Sequence, residues 1–270
     1  MTAPSSGKTS LTTPSTRAQA VDLLKYLATV IKDTGASADV YTRNFAAGTP
    51  MHAAPFFGCA DSALYATVGL NPSPAEFQDG RWPASALPLS EHLGRLLNYF
   101  ENPKVPYYDS WFGCWERALG HLGRSYFRDT IHLDLSPRAT IPLRSCPDKR
   151  LFVKMVAADI NSFFAFLEHV PQIRGLLVAW SGCGITLNDK VGAMYLDRII
   201  RESGEKLGFK LVALDVLQRS GPKIALCRLS RPKGDTLPVF FCGASPSSNS
   251  REDLGKAVQQ RAALLKRTGF

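Results

Sequence analysis

Several features are missing from this 270-residue chain, and each absence removes a class of protein. No apolar run approaches the roughly 20 residues that a membrane-spanning helix needs, so no membrane partner is expected. Met1 to Thr16 is rich in Ser, Thr and Pro and has no apolar stretch like that of a secretory signal; the expectation is an intracellular protein, in cytoplasm, nucleoid or nucleus. The six cysteines (Cys59, Cys114, Cys146, Cys183, Cys227 and Cys242) are widely spaced and form no Cys-x-x-Cys pair. They read as free thiols, and structural zinc or an iron–sulfur cluster is not expected. There is no Gly-x-Gly-x-x-Gly and no Walker loop, so no common nucleotide cofactor is expected, and with the cysteines so widely spaced no metal is expected either. Ala179-Trp180-Ser181-Gly182-Cys183 lacks both outer glycines of an esterase nucleophile elbow, and no base is evident for Cys183 as a thiol nucleophile. No internal repeat is visible.

What is present is an ordinary core and an excess of positive charge. Apolar residues at 45% and charged residues at 20% exclude intrinsic disorder, collagen and coiled coil for the whole chain. The net charge is +9, and it is distributed along the chain rather than confined to a tail. Such a field favours polyanions, nucleic acid first, through steering and counterion release.

Periodicity divides the chain into a disordered leader, residues 1–16, and one α/β domain, residues 17–270, with an N-terminal helical extension. Arg17 to Asp33 reads as an amphipathic helix with Val21, Leu24, Leu27, Ala28 and Ile31 on its apolar face. Further helices are expected at Ser90 to Phe100, Trp111 to Leu122, Asp148 to His169, Val191 to Leu207 and Arg251 to Arg267. Strands are expected at Leu64 to Leu70, Thr130 to Leu135, Gly175 to Trp180, Phe209 to Leu214, Ile224 to Leu229 and Leu237 to Cys242. The alternation implies a three-layer α/β/α sandwich around a mostly parallel sheet. His92, His121 and His169 are expected on helix surfaces.

In such sheets ligands gather beyond the carboxyl ends of the strands. Four strand ends run into polar or turn-forming residues: Gly69-Leu70-Asn71-Pro72-Ser73-Pro74, His132-Leu133-Asp134-Leu135-Ser136-Pro137, Ser181-Gly182-Cys183-Gly184 and Gly243-Ala244-Ser245-Pro246-Ser247-Ser248. Meeting on one rim, they would build a single crevice.

Two of these loops together resemble the uracil-DNA glycosylase superfamily. Gly69-Leu70-Asn71-Pro72 is similar to the Gly-x-Asn-Pro first motif of the mismatch-specific and single-strand-selective branches. Ser245-Pro246-Ser247-Ser248-Asn249-Ser250-Arg251 is similar to the second motif, His- or Asn-Pro-Ser followed by variable positions, Ser and Arg. Gly80-Arg81-Trp82-Pro83 and Leu93-Gly94-Arg95-Leu96-Leu97 resemble the aromatic segment and helix between them. The pieces span roughly residues 60 to 267 in the family's order.

The resemblance implies a uracil-DNA glycosylase-like fold and a metal-independent, monofunctional DNA glycosylase, a base excision repair hydrolase acting on a damaged or deaminated base. Breaking a base–sugar bond passes through an oxocarbenium-like state, so water must be aimed at the anomeric carbon and the departing base stabilised. By resemblance, Asn71 orients the water and Ser245 assists the leaving base. Trp82 stacks on the base, Leu70 lines its site, and Asp134 or its neighbour His132 reads the base edge. Ser73, Ser247, Ser248, Asn249 and Arg251 grip the strand, with phosphate at the start of the last helix.

Three departures accompany the likeness. Ser245 stands where the family has His or Asn and cannot become a cationic donor. Asp134 replaces an Asn and prefers donors on the base, which disfavours uracil itself. Asn249 is polar in the wedge region, so single-stranded or mismatched DNA, where extrusion costs less, is the favoured partner. The alternative is a catalytically inactive protein of the same fold that binds nucleic acid or a free base without cutting.

Overall fold

The computed structural model describes residues 14–36, 53–73, 82, 87–101, 111–140, 149–179, 185–186, 193–194, 196–218, 224–242 and 251–270. Its centre is a seven-stranded sheet in the order β1-β3-β2-β4-β9-β8-β7. The strands are β1 (Phe56–Phe57), β2 (Tyr65–Gly69), β3 (Thr130–Asp134), β4 (Gly175–Ala179), β7 (Lys210–Gln218), β8 (Ile224–Ser230) and β9 (Thr236–Cys242). A separate ribbon pairs β5 (Ile185–Thr186) with β6 (Ala193–Met194).

The four strands β3, β2, β4 and β9 run parallel to one another. β1 is antiparallel at one edge, and β8 and β7 are antiparallel at the other. The two-residue β1 has no periodic signal in the sequence. β8 and β9 are joined by a tight connection over Arg231 to Asp235, in which Gly234 takes a positive φ of 93°.

Helices cover both faces. Because side chains alternate along a strand, Tyr65, Thr67, Gly69, Thr130, His132 and Asp134 share one face, and Ala66, Val68, Ile131 and Leu133 the other. On the first face lie α3 (Gly113–Leu122) and, packed against it, α7 (Arg251–Arg267). Phe270, just beyond α7, stacks on Tyr65 and fills the space beside Gly175. On the second face, Phe166 of α5 (Asn161–His169) packs 4.9 Å from Phe56, and Tyr26 of α1 (Pro14–Ala36) packs 5.6 Å from Phe166. The remaining helices are α2 (Leu89–Leu97), α4 (Lys149–Asp159) and α6 (Leu196–Glu205). The core is continuous, from Leu23 and Leu27 through the sheet to Leu254 and Leu265.

Four expectations are corrected here. α1 begins at Pro14, where the missing N–H of proline costs nothing, and so takes in the end of the expected leader. It also buries a different stripe: Leu23, Tyr26, Leu27 and Val30 are inside, while Val21 and Ile31 are exposed. The helix has apolar residues on two overlapping stripes, and Tyr26 decides between them by packing on Phe166 and donating its hydroxyl to Ser162 O. The single helix expected over 148–169 breaks at Ile160 into α4 and α5. Ser162 Oγ donates to Asp159 O at 2.8 Å, a local bond that competes with the helical ladder. His92 is buried against Trp82 rather than on a helix surface.

Candidate functional site

The parallel pairing of β3, β2, β4 and β9 makes Gly69, Asp134, Ala179 and Cys242 leave the sheet at one edge. From β2 the chain moves to β3 on one side, whereas β4 and β9 lie on the other. The strand order therefore reverses between β2 and β4, the topological switch point at which such sheets open a crevice. Asn71 is two residues past the end of β2, at that point. β9, which leads toward the serine-rich segment, is two strand spacings from β2, about 10 Å.

The segment after β2 is zipped to the segment after β3. Leu135 N donates to Gly69 O at 3.2 Å and Ser136 N to Leu70 O at 2.9 Å, prolonging the ladder beyond the strands. Asn71 Nδ2 then donates to Arg138 O at 3.0 Å, Thr140 Oγ1 at 2.9 Å and Pro72 O at 3.0 Å. Two of these partners are carbonyls, which only accept, so the amide orientation is determined: nitrogen toward the 138–140 segment, Oδ1 away from it. All hydrogen bonds of Asn71 among the described residues are made by Nδ2, and Oδ1 is left as an acceptor.

A buried ion pair supports this segment from behind. Arg138, 3% exposed, holds Asp159 bidentately, Nε to Oδ2 at 2.7 Å and Nη2 to Oδ1 at 3.1 Å. Ser136 Oγ donates to the same Asp159 Oδ2 at 2.6 Å, and Arg138 Nη1 donates to Thr34 O in the last turn of α1 at 2.6 Å. The helix dipole favours a cation at that end.

Asp134 and His132 lie on the sheet face beside Gly69, enclosed by aromatic rings. Thr67 is the register partner of His132, and its hydroxyl bonds both His132 Nδ1 at 2.8 Å and Tyr126 OH at 2.5 Å. His132 Nε2 is 3.5 Å from Asp134 Oδ1. Phe57 stacks against the imidazole and Phe112 meets it edge-on. Asp134 Oδ2 is buried and accepts no hydrogen bond among the described residues. Burial raises the Asp134 carboxyl above its ordinary pKa, while His132 acts in the opposite sense.

Comparison of the chain with protein-family models, with curated proteins and with solved structures finds no match.

Of the sequence candidates, Leu70, Asn71, His132 and Asp134 are brought together at the ends of β2 and β3. Ser73 follows them, half-buried. Trp82 is 4% exposed and meets His92 of α2 edge-on at 5.1 Å, so it packs as a core aromatic. Arg251 opens α7, with Glu252 and Asp253 in a first turn whose dipole favours acids. The side chain of Arg251, and Ser245, Ser247, Ser248 and Asn249 altogether, lie outside the described residues. So does Cys183.

Sequence reasoning missed Thr140 and Arg138, which hold Asn71, Asp159, which anchors Arg138, Thr67, which holds His132, and Tyr126, which bonds Thr67. Two signals were available. A charged residue in each of two apolar stretches, Arg138 and Asp159, suggests a buried pair. A glycine inside an apolar strand, Gly69, suggests close approach of another group. Among the described residues no group of three or more His, Cys, Asp or Glu could hold a metal ion.

Proposed function

We propose that this protein is a monofunctional DNA glycosylase-like hydrolase that breaks the N-glycosidic bond of a damaged or deaminated base. The observation that supports it most is the immobilised amide of Asn71 at the switch point of the sheet. Its nitrogen is held by three acceptors, so its oxygen is pre-set to accept a hydrogen bond from a water. A fixed carboxamide orients water with no carboxylate to desolvate, and pre-organisation of this kind is what such chemistry needs. Water adds at the anomeric carbon as the base departs with the bond's electron pair, and the proton that the water gives up ends on the departing base. In this reading Asp134 or His132 faces the base edge, Ser245 assists the leaving base, and Ser73, Ser247, Ser248, Asn249 and Arg251 contact the strand. The positive charge supplies nonspecific affinity for DNA.

A second reading is a protein of the same fold that binds nucleic acid or a base without cutting it. The burial of Trp82, His132 and Asp134, each under 5% exposed, favours it. The two readings separate on oligonucleotides carrying uracil, hypoxanthine or xanthine, single and double stranded, followed by alkaline strand scission. Cleavage that is lost in Asn71→Ala by a factor on the order of 10²–10³ supports the glycosylase. Salt-sensitive binding with no cleavage of any substrate supports the binder. No binding to DNA or RNA at low salt removes both.

A further inference from the structure

The Arg138–Asp159 pair is a buried, multiply bonded charge pair near the switch point, and Arg138 also reaches Asn71. Asp159 ends α4, immediately before the break at Ile160. Its carboxylate accepts from Arg138 Nε, Arg138 Nη2 and Ser136 Oγ. The remaining arm of the guanidinium closes on Thr34 O at the end of α1. Arg138 is thus tied to three elements at once, α1, α4 and the segment after β3. That same residue offers its carbonyl to Asn71 Nδ2, and Thr140, two residues on, offers its hydroxyl.

We infer that the buried Arg138–Asp159 pair is the positioning device for the Asn71 amide. It holds the 136–140 segment so that Arg138 O and Thr140 Oγ1 face Asn71 Nδ2 and turn Oδ1 the opposite way. The inference rests on the reading of Asn71 as the water-orienting group only for its effect on rate; the geometric claim stands by itself. Arg138 and Asp159 are positioning residues. α1, the expected extension, becomes part of the support because its last turn supplies one of the guanidinium's acceptors. A bidentate fork suits this task, since a planar guanidinium fixes direction as well as distance.

The test uses the full chain labelled with ¹⁵N at asparagine, the Asn71 side-chain signal being assigned by its loss in Asn71→Ala. Two separate, slowly exchanging Nδ2 proton resonances are expected in the wild type. The variants are Arg138→Lys, which keeps the charge but loses the fork, and the double variant Arg138→Gln/Asp159→Asn, which removes both charges together. A single unpaired charge in the core risks unfolding; these two changes avoid it. In a folded variant of either kind, the Nδ2 protons are expected to exchange about tenfold faster or more, and their two shifts to move toward those of a free carboxamide. Where cleavage is measured, kcat is expected to fall by about 10²-fold, with KM within about twofold.

Folded variants with unchanged Asn71 amide signals overturn the inference. A loss of melting temperature with unchanged amide signals and unchanged kcat gives the pair a purely structural role and also overturns it. A wild type that cleaves nothing, with amide signals that respond as expected, removes the glycosylase reading and leaves the positioning claim in place.

Discussion

Gly69 and Asp134 are register partners on neighbouring parallel strands, and a Cβ built on Gly69 lies 2.8 Å from Asp134 Oδ1 and 3.0 Å from His132 Nε2. The glycine is present because the space its side chain would fill is occupied by the Asp134 carboxyl and the His132 imidazole. Neither group has room to retreat, since both are buried and His132 is enclosed by Phe57 and Phe112.

Gly69→Ala is therefore expected to cost about 1–3 kcal/mol through overpacking, read from urea denaturation. In the double variant Gly69→Ala/Asp134→Ala most of that cost should disappear, because the clashing carboxyl is gone. Additive losses in the double-mutant cycle would show that the contact is not the cause.

At Asn71, the nitrogen and not merely the size of the side chain is required. Asn71→Asp places an acceptor oxygen about 3 Å from two carbonyl oxygens, where the amide nitrogen donated. A loss of about 1–3 kcal/mol in folding stability is expected, with cleavage reduced at least as far as in Asn71→Ala. Stability equal to the wild type would mean that these hydrogen bonds are not made in solution.

The raised Asp134 pKa has a pH signature. The unfolded chain ionises this group near its ordinary value of 3.8, whereas the folded chain keeps the proton to higher pH because the carboxyl is buried. The stabilisation from the protonated group is complete below the unfolded value and is lost as pH rises through the folded one. Asp134→Asn, neutral throughout, should gain in melting temperature relative to the wild type on passing from below about pH 4 to neutrality. A difference that stays flat across that range contradicts a buried carboxyl.

The Thr67 hydroxyl joins Tyr126 OH to His132 Nδ1. Thr67→Val keeps the shape and removes both bonds, leaving a phenol and an imidazole nitrogen buried. A cost of about 1–3 kcal/mol is expected, larger than the roughly 1 kcal/mol for Tyr126→Phe, which removes only one partner. The same urea measurement decides, and equal losses would argue that the histidine finds another partner.

The layout of elements was largely legible in the sequence, and the exceptions have physical causes. β4 stands out because a strand buried on both faces is a short continuous apolar run, whereas β2 carries Thr67 within its run and β3 alternates polar and apolar residues. α7 runs over the expected residues, Arg251–Arg267. Periodicity does not carry the direction of pairing, so the antiparallel β7 and β8 could not be separated from the parallel strands. Nor does it choose between two apolar stripes on α1, where a contact between Tyr26 and Phe166, far apart in the chain, made the choice.

The same division runs through the candidate site. Asn71 could be singled out because a polar amide before a proline, directly after an apolar strand, is a local pattern; so could Asp134, at the end of its own strand. Local pattern also determined the charge, the alternation of strand and helix, and the glycine beside those residues. Only the tertiary structure decided that Arg138 and Thr140 would grip the Asn71 amide, that Asp159 would anchor Arg138, and that Trp82 would turn inward against His92. Those contacts join residues separated by 10 to 69 positions. They follow from the strand order, which brings the segments after β2 and β3 side by side and closes α1 and α4 behind them.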